Sequence, residues 1–331
     1  MKRTRIAING FGRIGRTLGR LLVQDDSIEW VAVNDPHPSD ALIHLFKYDS
    51  VHGPFKGQIE TSENAALING RPVLFTQEKD PSLLPWKELD IDIVIESSGL
   101  FKDRHSLEKH IQAGAKKVIL SVPPATEDIK TIVFGVNEFI LDGSEKIISN
   151  ASCTTNSAAP MIKLIDELCG IESCYITTIH SFTTDQRVHD SPHKDFRRAR
   201  AASQSIIPTT TGAAKALTKI FPHLDDSIGG CGIRVPVPDG SLTDITFIVK
   251  NLKSIEEINE KFKYAAENEM KGILEYTEDP IVSVDVINNP HSCIFDSQLT
   301  SVIGRMVKVV GWYDNESGYA NRLLDLIRKI S

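Results

Sequence analysis

The sequence has few cysteines, and they are widely spaced. Its 331 residues include five (Cys153, Cys169, Cys174, Cys231 and Cys293), and no two of them form a Cys-x-x-Cys pair. An odd number without paired spacing argues against a disulfide framework and against a zinc site, so we predict no bound metal. Reduced cysteines are typical of the cytoplasm, which is the compartment that we expect.

Long hydrophobic runs and an excess of positive charge are also absent. No apolar stretch has the roughly 20 residues that a membrane-spanning helix needs, and the basic first residues pass directly into a strand-like segment, so we expect neither a membrane span nor a signal peptide. The formal net charge is −7 at pH 7, which argues against nucleic acid as the main partner.

One cysteine stands in a distinctive setting, the run Ser-Asn-Ala-Ser-Cys-Thr-Thr-Asn at residues 149–156. Apolar residues at helical spacing follow it, which places Cys153 at the start of a helix, although Pro160 predicts a kink or a separate first turn. Free N–H groups and the helix dipole at that position stabilise a thiolate. His180, in the strand-like residues 175–181, is the candidate base; the alternative is that Cys153 is a small buried structural residue.

A glycine-rich loop follows the first predicted strand, residues 4–9. The loop carries Gly10, Phe11, Gly12, Arg13, Ile14 and Gly15, a helical pattern comes next, and Asp35 ends the second strand twenty positions after Gly15. In a dinucleotide-binding loop the first glycine makes a tight turn, the second admits the pyrophosphate and the third packs helix on strand. The carboxylate binds the adenosine ribose, so this pattern predicts a dinucleotide site.

The pattern changes after Cys153. Short strands alternate with helices before it, whereas long strand-like runs at residues 228–237, 241–249, 281–287 and 307–312 dominate after it. We therefore predict an α/β protein, with a Rossmann-type doubly wound parallel sheet in residues 1–151. An α+β catalytic domain with a mostly antiparallel sheet would occupy residues 152–315, and residues 316–331 would form a C-terminal helix.

A basic and hydroxyl-rich segment lies between His180 and Lys215. Arg197, Arg198 and Arg200 form a dense cationic cluster, and a Thr-Thr-Thr-Gly run precedes a predicted helix at residue 213. Arginine forks, hydroxyls and helix N–H groups are what a phosphate needs, although such charges can equally form a solvated face or an oligomer interface. Arg234 is isolated among apolar residues, so it is either ion-paired or a ligand contact.

These segments resemble glyceraldehyde-3-phosphate dehydrogenases over essentially the whole chain. The segments that carry the resemblance are residues 7–16, 149–156, 177–180, 198–202, 207–215 and 312–319, and they occur in the family's order. The resemblance implies that the C-terminal helix returns to the NAD-binding domain. It also implies a homotetramer in which a loop near residues 180–205 lies at an interface.

The resemblance also implies a role for each matching position. Cys153 would be the nucleophile and His180 its base. The implied NAD-binding residues are Gly10, Phe11, Gly12, Arg13, Ile14, Gly15, Asp35, Lys79, Ser121 and Asn315, the last of which would orient the nicotinamide amide. Inorganic phosphate would bind at Ser152, Thr154, Thr211 and Gly212, and the substrate phosphate at Thr183, Arg197 and Arg234.

The implied reaction is the NAD-dependent phosphorylating oxidation of glyceraldehyde 3-phosphate to 1,3-bisphosphoglycerate in glycolysis, through a hemithioacetal and a thioester on Cys153. Three other hypotheses stay open. An erythrose-4-phosphate dehydrogenase is disfavoured by Thr183 and the intact Thr-Thr-Thr-Gly run. An NADP-dependent biosynthetic enzyme is disfavoured by Asp35, although Ser191 replaces a leucine that is common in NAD-specific relatives. A regulatory or RNA-binding protein is disfavoured by the retained Cys153 and His180.

Overall fold

Residues 3–331 are described in a computed structural model of the chain. They divide into two compact units. The first unit comprises the residues up to 132, residues 138–151 and residues 320–331, and the second comprises residues 133–137 and 152–319.

The first unit is built on a nine-stranded sheet in the order β3-β4-β5-β2-β1-β6-β7-β9-β8. The strands from β5 to β8 along this order are parallel, and β3 and β4 add an antiparallel edge. The strands are β1 (Thr4–Asn9), β2 (Ile28–Asn34), β3 (Ile59–Ser62), β4 (Ala65–Ile68), β5 (Arg71–Thr76), β6 (Ile93–Glu96), β7 (Lys117–Leu120), β8 (Lys130–Thr131) and β9 (Ile147–Ser149).

Three helices belong wholly to this unit: α1 (Arg13–Leu22), α2 (Ser39–Lys47) and α3 (Arg104–Gln112). The central strands are apolar at successive positions because helices cover both faces of a parallel sheet. Ile6, Ile8, Val94 and Ile95 are accordingly buried. The predicted doubly wound parallel sheet is confirmed, and its strands aim their carboxyl ends at one edge of the sheet.

The hairpin between β4 and β5 turns at Asn69 and Gly70, a pair of residues that is typical of two-residue hairpin turns. Asn69 and Gly70 have φ values of 49° and 75°, so both lie in the left-handed region. A two-residue turn with positive φ at both positions matches the twist of antiparallel strands, and asparagine and glycine adopt it at the lowest cost.

The second unit is built on an eight-stranded, mostly antiparallel sheet in the order β11-β12-β10-β13-β17-β15-β14, with β16 paired to β17. Its strands are β10 (Ile171–Ser181), β11 (Ile207–Thr209), β12 (Ile228–Val235), β13 (Ser241–Val249), β14 (Leu274–Thr277), β15 (Cys293–Asp296), β16 (Ser301–Ile303) and β17 (Met306–Tyr313). The pair β10–β12 is parallel, and β10 pairs with β13 in the antiparallel direction. The long β10 therefore has a partner along both edges.

Helices α4 (Cys153–Cys169), α5 (Ala213–Ile220) and α6 (Ile255–Glu267) complete this unit. Helix α4 runs through Pro160 without a separate first turn, which corrects that part of the sequence prediction. Helix α6 is capped by Ser254, whose hydroxyl accepts from the Glu257 N–H while the Glu257 side chain accepts from the Ser254 N–H, forming a capping box.

Two strand predictions are wrong, the one for residues 281–287 and a second one that the short apolar run at residues 132–134 suggests. Residues 132–134 lie just beyond β8 and are not extended into a strand. Residues 281–287 alternate in hydrophobicity but contain a 3-10 turn, Ser283–Val286, because the Asp285 carboxylate accepts from the Val282 N–H at 2.8 Å and closes the segment locally.

The chain ends in helix α7, Ser317–Ile330, and from Ala320 onward this helix is grouped with the first unit. Arg328 pairs with Asp25 at 2.9 Å, and Leu323, Leu326 and Ile327 are buried. Among the described residues 3–331, none of the helices combines the length and the apolar character needed to cross a bilayer.

Candidate active site

Cys153 is the first residue of helix α4. Ser152 caps this helix, because its hydroxyl accepts from the Thr155 N–H at 3.1 Å. The Asn156 N–H already donates to the Ser152 carbonyl oxygen. The backbone N–H groups of Cys153 and Thr154 precede the first intrahelical bond, so they are the N–H groups left for an anion at this end of the helix.

His180 faces the cysteine from the end of strand β10. Its Nε2 atom lies 3.4 Å from the Cys153 Sγ atom, and the imidazole is buried. The His180 Nδ1–H donates to the Ser181 carbonyl oxygen at 2.8 Å. We assign the single proton of the neutral ring to Nδ1 on this contact, which leaves the Nε2 lone pair directed at the sulfur. The two residues that the sequence paired are in contact.

Arg234 reaches the same place because strands β10 and β12 are parallel, with His180 opposite Arg234 in the register. The Arg234 guanidinium donates to the Ser181 carbonyl oxygen at 2.9 Å. The same NH1 atom also approaches His180 Nδ1. The Arg234 guanidinium and the His180 imidazole both lie within hydrogen-bond distance of the Ser181 carbonyl oxygen. A cation therefore lies directly beside the imidazole.

Burial and this cation set the proton affinities of the pair. Burial, followed by the Arg234 charge, lowers the pKa of His180 to about 3. Burial raises the pKa of the Cys153 thiol, and Arg234 and the Thr154 N–H offset only part of that rise. Burial therefore opposes ionisation of both groups, whereas the N–H groups at the start of helix α4 and the Arg234 charge favour a thiolate on Cys153.

A buried hydroxyl network lies behind the pair. The Tyr313 hydroxyl contacts the hydroxyls of Thr154 and Thr178, each at 3.0 Å, and the tyrosine ring meets the His180 ring edge to face. Burial raises the pKa of Tyr313. The Thr154 side chain is thus committed to this network, and its backbone N–H is the group that remains for a phosphate.

Two neighbouring arginines of the cationic cluster have different environments, since one is exposed to solvent and the other contacts protein side chains. In the part of the chain that the structure describes, the exposed Arg197 side chain makes no hydrogen bond or ion pair, whereas Arg198 donates to the Thr209 hydroxyl at 3.0 Å and pairs with Asp185. The Arg198 charge also contributes, after burial and Arg234, to the lowered pKa of His180. The geometry therefore favours Arg198 over the predicted Arg197 as the cation on the His180 side.

The predicted phosphate hydroxyls occupy two further positions. Thr183 is half-buried, its N–H donates to the Gln186 side chain at 3.0 Å, and its hydroxyl has no protein partner among the described residues. Gly212 is exposed and caps helix α5 without a side-chain bond, and the Thr211 hydroxyl accepts from the Ala213 N–H at 3.2 Å. Strand β11 runs up to this segment beside Arg234, because Ile207 is opposite Arg234 in the register.

Asn315 is also buried in the second unit. Its Oδ1 atom accepts from the hydroxyls of Ser181 at 2.8 Å and Ser241 at 2.7 Å. Its Nδ2 amino group has no hydrogen-bond acceptor among the described residues, so it is the group available to a ligand.

In the first unit, the three glycines of the loop have three different environments. Gly10 has a φ of 92°, and a Cβ there would lie 2.3 Å from the Ser98 N atom. A Cβ on Gly15 would lie 2.4 Å from the Gly10 oxygen, whereas one on Gly12 would meet nothing within 4 Å. Helix α1 has no side-chain cap at Gly12. An open approach to an uncapped helix N-terminus fits a pyrophosphate.

The residues around this loop are held by two carboxylates. Asp35 accepts from the Phe11 N–H at 2.8 Å, so it ties the loop to the end of β2. Arg13 binds Asp49 through two hydrogen bonds, at 2.6 and 3.1 Å. The Arg13 guanidinium is thereby directed at a protein carboxylate, and its backbone N–H, like that of half-buried Ile14, belongs to the open first turn of α1.

Two other predicted cofactor residues lie apart from this loop in the sequence. Ser121 is buried at the end of β7, and its N–H donates to the Glu96 carbonyl oxygen at 3.0 Å. The Lys79 side chain is exposed, and within residues 3–331 it makes no hydrogen bond or ion pair.

Two family models match the chain. The model described as "Glyceraldehyde 3-phosphate dehydrogenase, NAD binding domain" matches residues 4–104, and "Glyceraldehyde 3-phosphate dehydrogenase, C-terminal domain" matches residues 152–315. The chain belongs to the glyceraldehyde-3-phosphate dehydrogenase family.

Similar glyceraldehyde-3-phosphate dehydrogenases cover nearly the full length. Glyceraldehyde-3-phosphate dehydrogenase 2 of Bacillus subtilis is 50% identical over 331 residues, covering 99% of this chain and 97% of the relative. Glyceraldehyde-3-phosphate dehydrogenase of Thermotoga maritima is 52% identical over 326 residues, covering 98% of each. Glyceraldehyde-3-phosphate dehydrogenase 2 of Streptomyces avermitilis is 52% identical over 325 residues, covering 97% of each.

Sequence reasoning assigned no role to Ser181, Ser241 or Tyr313, and it named Arg198 only as a member of the cationic cluster. Strand periodicity could have found Tyr313, because it is the last residue of an alternating run. The serines carry no such signal, since a buried hydroxyl contact depends on which strands become neighbours.

Proposed function

We propose that this chain catalyses the NAD-dependent phosphorylating oxidation of D-glyceraldehyde 3-phosphate to 1,3-bisphosphoglycerate, as a step of glycolysis. The observation that carries the proposal is the 3.4 Å contact between Cys153 Sγ and His180 Nε2 at a helix N-terminus. This pair can form and break a bond to an aldehyde carbon, and it occurs in a chain of the matching family.

The cysteine performs the covalent step. The Cys153 sulfur attacks the aldehyde carbon, and its proton passes to Nε2 of His180. The N–H groups at the start of α4 and the protonated imidazole stabilise the new oxyanion, and the imidazole then returns the proton to it to give a hemithioacetal. His180 accepts the hydroxyl proton again as the carbon loses a hydride and becomes a thioester. Inorganic phosphate attacks the thioester carbonyl and expels the Cys153 sulfur, which takes back its proton from His180.

NAD fits the first unit, because an open, uncapped helix N-terminus at Gly12 suits a pyrophosphate. The residues that would hold it are Gly10, Phe11, Gly12, Arg13, Ile14, Gly15, Asp35, Lys79 and Ser121 in the first unit and Asn315 in the second. When bound, NAD supplies the acceptor for the hydride that leaves the substrate carbon. Asp35 disfavours a 2′-phosphate by charge repulsion, which supports NAD over NADP.

Two anion positions serve the reaction. Thr183 and Arg234 would bind the substrate phosphate. Arg198 replaces the predicted Arg197 in this set, since Arg197 is exposed and Arg198 contributes to the lowered pKa of His180. The incoming phosphate would bind at Ser152, at the Thr154 N–H, and at Thr211 and Gly212 where helix α5 begins.

The domain roles and the assembly are part of the same proposal. Residues 1–151 with helix 316–331 form the NAD-binding domain, and residues 152–315 form the catalytic domain. The protein acts in the cytoplasm as a homotetramer, with a loop near residues 180–205 at an interface. Val188 and Phe196 support that assignment, because both are large apolar side chains that are exposed in the single chain.

The experiment is NADH formation by purified protein with glyceraldehyde 3-phosphate and NAD, with and without inorganic phosphate. It is repeated with NADP and with erythrose 4-phosphate. Phosphate-dependent turnover that prefers the triose and NAD is expected, and Cys153→Ala should abolish it while NAD binding survives. Preference for erythrose 4-phosphate or NADP would contradict the assigned substrate or cofactor. Absence of turnover with NAD still bound would favour a regulatory protein.

A further inference from the structure

Three buried side chains form one hydrogen-bond cluster, which we call the amide clamp: Ser181, Ser241 and Asn315. Each is less than a tenth exposed. The Ser181 N–H donates to the Ser241 hydroxyl oxygen at 3.1 Å. Both serine hydroxyls donate to the Asn315 Oδ1 atom, at 2.8 and 2.7 Å. The clamp therefore uses both lone pairs of the Asn315 carbonyl oxygen.

The clamp permits only one orientation of the Asn315 amide. If the amide were flipped, its NH2 group would face two hydroxyl oxygens, and the hydroxyl hydrogens of Ser181 and Ser241 would lose their acceptor. Unpaired hydroxyls in a buried site are costly, so the observed orientation is favoured. The Nδ2 amino group is left on the other side as a donor without an acceptor among the described residues.

Sheet register brings the clamp together. Ser181 ends strand β10 and Ser241 begins strand β13, two strands that pair in the antiparallel direction. Ser241 is in turn opposite Tyr313 at the end of β17, and Asn315 follows two residues later. The backbone oxygen of Ser181 also accepts from His180 Nδ1. One residue thus holds the catalytic base through its carbonyl group and the Asn315 amide through its hydroxyl.

We propose that Ser181 and Ser241 are positioning residues that fix the Asn315 amide with its amino group toward the ligand. The ligand must then offer a hydrogen-bond acceptor, which on a nicotinamide is the carboxamide carbonyl oxygen. This inference rests on the proposed function, because NAD is the ligand that brings a nicotinamide. It adds that two buried serine hydroxyls, acting through the Asn315 amide, set the polarity of the recognition.

The test measures the affinities of NAD and ADP-ribose by isothermal titration calorimetry. ADP-ribose shares the adenosine diphosphate ribose of NAD but lacks the nicotinamide. Loss of one clamp hydrogen bond should weaken NAD binding by about three- to tenfold in Ser181→Ala and in Ser241→Ala, and the affinity for ADP-ribose should not change. Thr243→Val is the matched control, since Thr243 is a buried hydroxyl on the same strand that contacts Ser157 at 3.1 Å and not the clamp.

A second arm tests whether the serines act through the amide. In an Asn315→Ala background the serine substitutions should have no further effect on the ratio of NAD to ADP-ribose affinity, because there is no amide left to orient. A serine substitution that lowers the ratio of NAD to ADP-ribose affinity further in the Asn315→Ala background would overturn the inference. An unchanged ratio in both single serine variants would overturn it as well. Either serine variant alone suffices if the other folds poorly.

The outcome also separates this inference from the proposed function. Native protein that fails to bind NAD would overturn the proposed function and the inference with it. Native protein that binds NAD more tightly than ADP-ribose, together with serine variants that keep the native ratio, would overturn the inference alone.

Discussion

The Nε2 atom of His180 lies 3.4 Å from the Sγ atom of Cys153, and the Nδ1–H of the same ring donates to the Ser181 carbonyl oxygen. In this arrangement Nε2 is the ring nitrogen that faces the sulfur. Replacing His180 with Asn removes the acceptor beside the sulfur but keeps a polar side chain. We expect iodoacetamide to alkylate Cys153 in His180→Asn more slowly near neutral pH, by about tenfold or more, since a positioned base contributes roughly that much or more.

The alkylation is followed by intact mass, and Cys231 provides an internal control because it is half-buried and outside the site. The reaction of Cys231 should be the same in both proteins. Unchanged alkylation of Cys153 would mean that another group activates the thiol.

A matched pair of arginine substitutions tests the anion side. Arg198 binds Thr209 and Asp185, whereas the neighbouring Arg197 is exposed. Arg198→Ala should raise the KM for an anionic reactant by about tenfold or more, since a charge-assisted hydrogen bond contributes roughly 1.5–3 kcal/mol. Arg197→Ala should change it by less than about twofold. Steady-state kinetics in glyceraldehyde 3-phosphate and in phosphate identify the affected reactant, and equal effects of the two substitutions would contradict the assignment.

The first unit should lose stability in strong acid because of Asp49. Burial alone would raise the pKa of this carboxyl, but hydrogen bonds from the His52 N–H, the Arg13 side chain and the Val51 N–H lower it to about 2. A depressed carboxyl pKa stabilises the fold above the unfolded-state value near 4, and the contribution is lost as pH falls toward 2. At pH 7 the contribution is on the order of 2 kcal/mol.

The measurement is the free energy of unfolding of native protein and Asp49→Asn between pH 7 and pH 2. The native protein should exceed Asp49→Asn in free energy of unfolding by a constant amount down to about pH 4. This native advantage should shrink at lower pH, as the linkage relation requires. Asp40→Asn, an exposed carboxylate on helix α2, controls for the loss of one negative charge. A native advantage that persists unchanged at pH 2 would contradict the role of Asp49.

A buried carboxylate supports the end of strand β6. Glu96 accepts from Asn9 Nδ2 at 2.6 Å and from the Ser98 N–H at 2.8 Å. The Trp86 indole N–H donates to His110 Nδ1 at 3.0 Å, so the His110 proton lies on Nε2 and donates to Glu96 at 3.0 Å. Glu96→Gln places an NH2 group against one of these donors, which should destabilise the fold by about 1–3 kcal/mol.

Thermal and urea unfolding measure this loss. Glu88→Gln is the matched control, because Glu88 is an exposed carboxylate in the same unit. Similar unfolding midpoints for Glu96→Gln and Glu88→Gln would show that the buried carboxylate is not required.

Local patterns predict much of this molecule. The glycine spacing of the first loop, the Asn69–Gly70 turn and the start of helix α4 at Cys153 all depend on neighbours in the sequence, and the structure has each of them. Residues 281–287 are one exception, because the Asp285 side chain closes a turn there in spite of the strand-like alternation.

Non-local pairing explains what the sequence could not predict. The contact between Arg234 and Ser181 follows from parallel pairing of β10 with β12, which are separated by more than forty residues. The choice between Arg197 and Arg198 depends on how one loop folds against Thr209. The raised pKa of Cys153 depends on burial, which the sequence does not fix at a helix terminus.

The most direct test is to trap the acyl-enzyme. Native protein is mixed with NAD and glyceraldehyde 3-phosphate without phosphate, quenched in acid within milliseconds, and analysed by intact and peptide mass spectrometry. We expect a thioester of the oxidised substrate on Cys153, formed with one equivalent of NADH and discharged when inorganic phosphate is added before the quench. NADH formation without an adduct on Cys153, or an adduct that phosphate leaves in place, would contradict covalent phosphorylating catalysis by this residue.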